Sequence, residues 1–193
     1  MSDNTYHVIL SLGPLTGAGI TVDGFTIERG NANTSGVITL SGRNIARLFG
    51  GGINVFRGSN TFTNLKLLTN NGSIGGGLFA SEGNNVISEC LIMNNTTEAT
   101  GTGGGLALDY NNNTLYNNLF YGNAASRGGG VYTVEGTATW ANNTFVSNQA
   151  SQTGGAFYTS NATNTFRNNI FWANLIAGNA LQPGADFFAK IRV

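Results

Sequence analysis

The sequence predicts an all-β solenoid in which each repeat forms one coil of a parallel β-helix. Three observations support this. An apolar residue followed three positions later by Asn recurs five times, glycine runs recur with the same step, and runs of helix-forming residues are almost absent. The apolar and Asn pairs are Leu67/Asn70, Leu91/Asn94, Phe120/Asn123, Phe145/Asn148 and Phe171/Asn174. Two markers with one period indicate a true internal repeat.

The spacing of the repeat predicts the size and number of the coils. Successive Asn residues of these pairs are 24, 29, 25 and 26 positions apart. A period near 25 that is rich in Gly, Asn, Thr and β-branched or aromatic residues, without a Leu-x-x-Leu-x-Leu pattern, favours strands and tight turns. We expect one domain over residues 1–193, with six to seven coils between about 20 and 180 and a possible cap at 181–193.

Alternation of side chains along each strand assigns inward and outward columns. The column five positions before the apolar residue is apolar and is predicted to face the core: Phe62, Val86, Leu115, Trp140 and Phe166. The column three positions before is also turned inward: Asn64, Ser88, Asn117, Asn142 and Asn168. The column two positions before the apolar residue is predicted to face outward: Leu65, Glu89, Asn118, Asn143 and Asn169.

Buried Asn side chains need partners, which stacked Asn residues supply to one another. The sequence therefore predicts an asparagine ladder along the coil axis. Its predicted members are Asn64, Asn117, Asn142, Asn168, Asn70, Asn94, Asn123, Asn148 and Asn174.

A second strand follows each glycine run. Its first residue is predicted to face inward: Ile53, Leu78, Leu106, Val131 and Phe157. Its second residue is predicted to face outward: Asn54, Phe79, Ala107, Tyr132 and Tyr158. The stretch before the first glycine run fits the repeat, with Val22 and Ile27 in the two core columns and Gly30 where later coils have Asn. Residues 44–49 are predicted to form a lateral loop or a helical turn.

Composition argues against several classes of function. Charged residues make up 9% of the chain, and nine basic residues balance nine acidic ones, so no electrostatic footprint for nucleic acid or anionic membrane is present. Apolar stretches are strand-sized, and the start of the chain lacks the basic and apolar regions of a signal peptide. The single cysteine, Cys90, is expected to be packed in the core.

The outward aromatic column is the best candidate for a binding site. Tyr132, Tyr158 and Phe79 could present a line of rings to the apolar faces of sugars, or could stack only to stabilise the rod, the alternative we favour. Near them, Glu82 and Glu135 are expected two coils apart, about 9.6 Å, with Asp109 between them.

This carboxylate spacing would suit an inverting glycosidase, but the acids lie in turns, where solvated carboxylates are ordinary. The only histidine, His7, has no triad partner placed by any motif. We therefore predict no catalytic residues, no metal site and no cofactor.

The order of motifs resembles a known family. The stretches Tyr6–Ile9 and Val22–Ile27, the repeated Gly-Gly-Gly-apolar and Phe-x-x-Asn units and the closing Asn169–Asn174 resemble the right-handed β-helix repeats of bacterial surface proteins of the choice-of-anchor Q type. They are also similar to repeats of chlamydial polymorphic outer-membrane proteins. The resemblance implies a right-handed fold and an extracellular or cell-surface setting in bacteria.

We expect a non-catalytic structural or adhesive module. Its partner would be a glycan or a protein, and exposed strand edges at the ends of the rod could allow self-association. The alternative is a domain that binds or cleaves polysaccharide, as some pectate-lyase-like relatives of this family do. A binding site requires a chemically distinct patch on one face, whereas a spacer requires only the repeat.

Overall fold

The computed structural model describes residues 6–14, 17–178 and 184–190, which form strands and turns with no helix among them. Residues 1–5, at the start of the predicted domain, and residues 181–183 and 191–193 of the predicted cap lie outside the described residues. The strands are β1 (Ile9–Leu12), β2 (Ala18–Asp23), β3 (Thr26–Glu28), β4 (Asn31–Ala32), β5 (Val37–Leu40), β6 (Arg43–Ala46), β7 (Ile53–Phe56), β8 (Ser59–Thr63), β9 (Lys66–Leu68), β10 (Asn71–Ile74), β11 (Leu78–Ser81), β12 (Asn84–Ser88), β13 (Leu91–Met93), β14 (Thr96–Thr102), β15 (Leu106–Tyr116), β16 (Leu119–Tyr121), β17 (Ala124–Arg127), β18 (Val131–Ala141), β19 (Thr144–Val146), β20 (Gln149–Thr153), β21 (Phe157–Ser160), β22 (Thr163–Arg167), β23 (Ile170–Trp172), β24 (Leu175–Ile176) and β25 (Phe187–Lys190).

Each coil has four faces, and equivalent strands of successive coils pair in parallel. Face I contains β1, β7, β11, the first half of β15 and of β18, β21 and β25, and face II contains β2, β8, β12, the second half of β15 and of β18, and β22. Face III is the sheet β3-β9-β13-β16-β19-β23, and face IV is β4-β10-β14-β17-β20-β24. The predicted parallel β-helix is confirmed. Six stacked strands in faces III and IV correspond to about five turns, slightly fewer than predicted.

The four corners of each coil are residues with positive φ. A left-handed residue bends the chain sharply, and glycine and asparagine tolerate it best. The face I to face II corner is Arg57, Glu82, Tyr110, Glu135 and Asn161 in successive coils. The next corner is Asn64, Glu89, Asn117, Asn142 and Asn168, and the third is Thr69, Asn94, Gly122, Ser147 and Ala173. The glycine runs form the fourth corner, starting with Gly50.

The glycine runs also allow the coils to stack closely. A Cβ added to Gly105 would lie 2.6 Å from the carbonyl oxygen of Gly130 in the next coil. Since backbone occupies this space in successive coils, a side chain cannot be accommodated there.

The core fills the interior with the inward apolar side chains of faces I, II and III. Phe120 and Phe145 stack with ring centroids 4.6 Å apart, and Phe145 and Phe171 follow at 4.7 Å. Trp140 packs edge-on against Phe157 and is fully buried. The inward assignments of Phe62, Leu115 and Trp140 are confirmed.

In the second repeat, the predicted alignment was wrong by one residue. Leu67 and Phe120 both pair with Ile92, and Phe62 pairs with Ile87. Ile87 and Ile92 therefore occupy the core columns that were assigned to Val86 and Leu91. The ladder residue is Asn95, and the predicted Asn94 is an exposed corner residue with φ 55°. Two adjacent asparagines satisfied the sequence pattern equally well, and only the pairing of strands separates them.

The predicted second ladder column was also wrong, because alternation does not continue through a corner. Asn64, Asn117, Asn142 and Asn168 are exposed left-handed corner residues. A residue with positive φ interrupts the alternation of side chains, so the residue that follows it points inward and not outward. The next column therefore points inward, and Leu65, Asn118 and Asn143 are buried although they were predicted to face outward. In the second repeat Cys90 occupies this column, and its predicted burial is confirmed.

The main ladder is formed by five asparagines: Asn70, Asn95, Asn123, Asn148 and Asn174. In the first four of them, the amide nitrogen donates to the amide oxygen of the next rung and to a carbonyl of the preceding coil. For Asn123 these bonds are 2.9 Å to Asn148 Oδ1 and 2.8 Å to the Ile92 carbonyl. Its own Oδ1 accepts from the backbone and the side chain of Asn95, both at 3.0 Å. Every polar atom of an interior rung is thus satisfied.

Two shorter ladders run parallel to the main one. Asn118, Asn143 and Asn169 form one, and Asn118 Oδ1 also accepts from the backbone of Cys90. Asn60, Asn85 and Asn113 form the other, on face II. The ends of the main ladder are capped, since Gly30 N donates to Asn70 Oδ1 and Asn174 Nδ2 donates to Asp186 Oδ1.

The first coil is longer than the others. Ile27 pairs with Leu67, and the additional residues form the antiparallel hairpin β5-β6 at the side of the rod. The prediction of a loop or helical turn at 44–49 is thereby resolved as part of this hairpin and the turn that follows it.

We predict that Asn123→Ala lowers the free energy of unfolding by about 3 kcal/mol or more, because it leaves several buried donors and acceptors without partners. Urea denaturation monitored by circular dichroism would measure this. Asn117→Gly is the matched control: Asn117 is an exposed corner residue with φ 58°, so its replacement should change stability by less than about 0.5 kcal/mol. Equal effects of the two substitutions would show that the ladder contributes nothing specific.

We also predict a pH-dependent contribution from Cys90. Burial raises the pKa of its thiol to about 11, and Sγ lies 3.1 Å from the Ser88 carbonyl oxygen. Because the folded pKa lies above the unfolded one, this contribution is complete below the unfolded pKa and is lost as the pH rises towards about 11. The free energy of unfolding should therefore fall more steeply over this range in the wild type than in Cys90→Ala. Parallel pH profiles of the two proteins would contradict the assignment.

Candidate functional site

The predicted outward aromatic column lies on the outside of face I but is largely covered. Phe79 is only 4% exposed and Tyr158 only 6%. Phe79 contacts Phe49 and Phe56, whose ring centroids lie 4.7 and 5.5 Å away. Alternation predicted an open surface here. Bulky residues at the edges of face I cover part of it, so that the column lies in a groove.

Within this groove, aromatic rings stack in register along the axis. Phe79, Ala107, Tyr132, Tyr158 and Phe188 are paired position by position through five strands. Tyr132 and Tyr158 are 5.0 Å apart and nearly parallel, and Tyr158 and Phe188 are 5.2 Å apart. Rings of the predicted column are therefore in stacking contact at Tyr132 and Tyr158.

The stack is interrupted at Ala107. A cavity of about 430 Å³ lies at this position, and its lining includes Phe79, Ala107, Tyr132, Asp109 and Tyr110. We call this cavity the ring gap. It brings together three of the six predicted binding residues, while Tyr158 lies behind Tyr132 in the stack.

The three predicted acids lie beside the ring gap at the end of face I. Glu82 and Glu135 are corner residues of the coils before and after Tyr110. Arg57 Nε lies 2.9 Å from Glu82 Oε2, and Arg43 Nη1 is 3.8 Å from the same oxygen. Asn161 Nδ2 donates to Glu135 Oε1 at 3.3 Å. The sequence predicted the proximity of the acids but not these partners.

Asp109 differs from the other two acids. It lies on the same side of β15 as Ala107, and burial raises the pKa of its carboxyl group, with smaller contributions from the charges of Glu135 and Glu82. Among the described residues, its carboxylate has no hydrogen-bond or ion-pair partner. Burial likewise raises the pKa of Tyr132, with Asp109 among the smaller causes.

His7 lies outside this site. Its Nδ1 is 3.0 Å from the Gly50 carbonyl oxygen, and burial lowers the pKa of the imidazole. In the described part of the chain, no three His, Cys, Asp or Glu side chains are grouped so that they could hold a metal ion.

A second distinct surface, on the outside of face III, was missed by sequence reasoning. From the second coil onward, eight of the ten residues in two outward columns of this face are apolar, and the other two are Lys66 and Thr144. The eight apolar residues form a surface that we call the apolar strip: Leu68, Leu91, Met93, Leu119, Tyr121, Val146, Ile170 and Trp172. Trp172 is 70% exposed, Ile170 58% and Tyr121 43%. The signal was present in the residues flanking each repeated apolar position, but the misaligned second repeat obscured it.

In a comparison with protein families, residues 16–184 match the model described as a right handed beta helix region. Comparison with curated proteins and with solved structures gives no match. In the described residues no helix has the length and apolar character needed to cross a membrane.

We predict that Tyr158→Ala destabilises the protein by about 3 kcal/mol, since a buried ring is removed from between Tyr132 and Phe188. Tyr158→Phe keeps the stack and should change stability by less than about 1 kcal/mol. Tyr110→Ala, at an exposed corner, serves as the control for loss of a tyrosine. Thermal and urea denaturation would rank the three variants, and an unaltered Tyr158→Ala would mean that the stack is not stabilising.

Proposed function

The chain belongs to the right-handed β-helix family, and from this premise we propose that it is a non-catalytic adhesive module that binds glycan through the apolar strip. The resemblance to bacterial surface repeats supports an extracellular or cell-surface setting in bacteria as part of this proposal. The observation that carries the proposal is the strip itself, a continuous run of exposed and half-exposed apolar side chains on face III.

The chemistry of the strip fits the apolar faces of sugar rings. Tyr121 and Trp172 are exposed aromatic side chains on equivalent positions of β16 and β23. Aromatic rings combine a large apolar area with little conformational entropy loss on binding, which suits them to contact surfaces. Charged residues occur on this face only near its first strands, at Glu28 and Lys66. A neutral ligand is therefore favoured.

The shape of the strip favours a glycan chain over a globular protein. Strands of three residues make the strip about 10 Å wide, and its five stacked strands make it about 19 Å long. This area of about 190 Å² is well below the roughly 800 Å² per partner of a stable protein interface. A narrow extended polymer can use such a strip along its whole length.

The partners of Glu82 and Glu135 support a binding role over a catalytic one. Glu82 forms ion pairs with two arginines, and Glu135 accepts a hydrogen bond from Asn161. A general acid or base needs an accessible carboxyl group aimed at its substrate. Cleavage of polysaccharide remains the alternative function, to be tested by assaying the same glycans for reducing-end release.

The test is native affinity electrophoresis through gels that contain one neutral polysaccharide at a time. We expect at least one of them to retard the wild type, and the double variant Tyr121→Ala/Trp172→Ala to lose at least about tenfold in affinity, since two stacking contacts disappear. Melting temperature should hardly change because both side chains are exposed.

Phe25→Ala is the matched control, since Phe25 is 61% exposed at a corner of the first coil. Free migration of the wild type in every neutral gel would overturn the proposal, as would equal retardation of the double variant. Light scattering at the concentration of the assay would detect self-association through the rod ends, which is the other expected role of exposed strands.

A further inference from the structure

The ring gap lies in the outward column of face I, which along the axis contains Leu10, Asn54, Phe79, Ala107, Tyr132, Tyr158 and Phe188. From Phe79 onward, each paired strand except that of Ala107 places an aromatic ring in this column. One face of Tyr132 is covered by Tyr158 at 5.0 Å. Its opposite face is therefore directed along the axis towards the Ala107 coil.

The size of the ring gap selects the thickness of its ligand. Phe79 and Tyr132 are two strand spacings apart, or about 9.6 Å. Carbon contacts of about 3.5 to 4.0 Å on each side leave about 2 Å for the ligand's own atoms. A flat aromatic ring does not fill this space, whereas a puckered sugar ring does. A cavity of about 430 Å³ is also in the range of sites for small organic ligands.

The charge beside the ring gap selects the sign of the ligand. The Asp109 carboxylate lies on the same side of the strand as the Ala107 methyl group and is two residues further along β15. It has no ionic partner among the described residues, and Glu82 and Glu135 flank it in the neighbouring coils. An acidic sugar would be repelled by this arrangement, and a cation would find both a carboxylate and aromatic faces.

The arginines near the groove have other partners, so the Asp109 end of the groove is available to a cationic ligand. Arg57 and Arg43 are paired with Glu82. Arg127 belongs to the opposite end of face I, before the glycine corner, and its Nε donates to Gln152. A ligand cation is therefore oriented towards Asp109 and away from Arg127.

We propose that the ring gap binds an amino sugar, with the sugar ring between Phe79 and Tyr132 and the protonated amine paired with the Asp109 carboxylate. This site is separate from the apolar strip and does not depend on glycan binding there. It takes a cationic sugar unit, whereas the strip takes a neutral chain.

The test compares three tetrasaccharides that differ chiefly at one substituent: a glucosamine oligomer, an N-acetylglucosamine oligomer and a glucose oligomer. Isothermal titration calorimetry is done at about pH 6, well above the ordinary pKa of an Asp carboxyl group, so that the upward shift of the Asp109 pKa is accommodated. We expect the glucosamine oligomer to bind at least about tenfold more tightly than the other two, because only it offers a charge-assisted hydrogen bond. Absence of binding, or equal binding of all three, would overturn the proposal.

Two variants locate the site. Ala107→Tyr should complete the aromatic column, keep or raise the melting temperature and abolish binding of the glucosamine oligomer. Asp109→Asn keeps the shape of the cavity and should remove the preference for the amine, while the control Glu28→Gln on face III should bind as the wild type does. Unchanged glucosamine binding in a folded Asp109→Asn variant would overturn the proposal even if Ala107→Tyr failed to fold.

The strip variant Tyr121→Ala/Trp172→Ala separates this proposal from the one above. It should bind the glucosamine oligomer like the wild type, although it loses retardation by neutral polysaccharide. Loss of amine-selective binding in this variant would place the amino-sugar site on face III and refute its location in the ring gap.

Discussion

The asparagine ladder is the interaction on which the rest of the structure depends. Each buried rung satisfies its donors and acceptors only if the next coil places an asparagine at the same height and angle. A buried amide without partners is strongly unfavourable, whereas a fully bonded network specifies one arrangement. The ladder and the strand pairings on the four faces therefore require the same register between coils.

Between the rungs, the chain has more freedom. Successive rungs are 25, 28, 25 and 26 residues apart. The three additional residues of the longest step are absorbed in β14, where the register shifts between Thr96 and Thr102. The first coil absorbs a larger insertion as the hairpin β5-β6. Insertions are tolerated at these places because they leave the core positions and the rungs before and after them in line.

A fixed register along the axis also turns single residues into continuous outer surfaces. Side chains at one position of the repeat form a column with a spacing set by the backbone, so rings stack where each coil has one. A single small residue in such a column leaves a cavity with walls that are already in place, as at Ala107. The apolar strip on face III arises in the same way, from columns in which apolar residues recur. Candidate ligand sites on this fold therefore arise where the side chains of an outward column differ in size or polarity from those around them.

The sequence by itself determined the repeat, the all-β class, the inward columns of faces I to III in most coils and four rungs of the main ladder, because these depend on local spacing and burial. Only the tertiary structure decided between Asn94 and Asn95, since both fit the local pattern and the pairing of β13 with its neighbours selects one. It also reversed the assignment of Asn117 and Asn118, because a left-handed corner interrupts the alternation on which sequence reasoning relied. The ring gap and the partners of Glu82 likewise depend on side chains from different coils, which no single repeat contains.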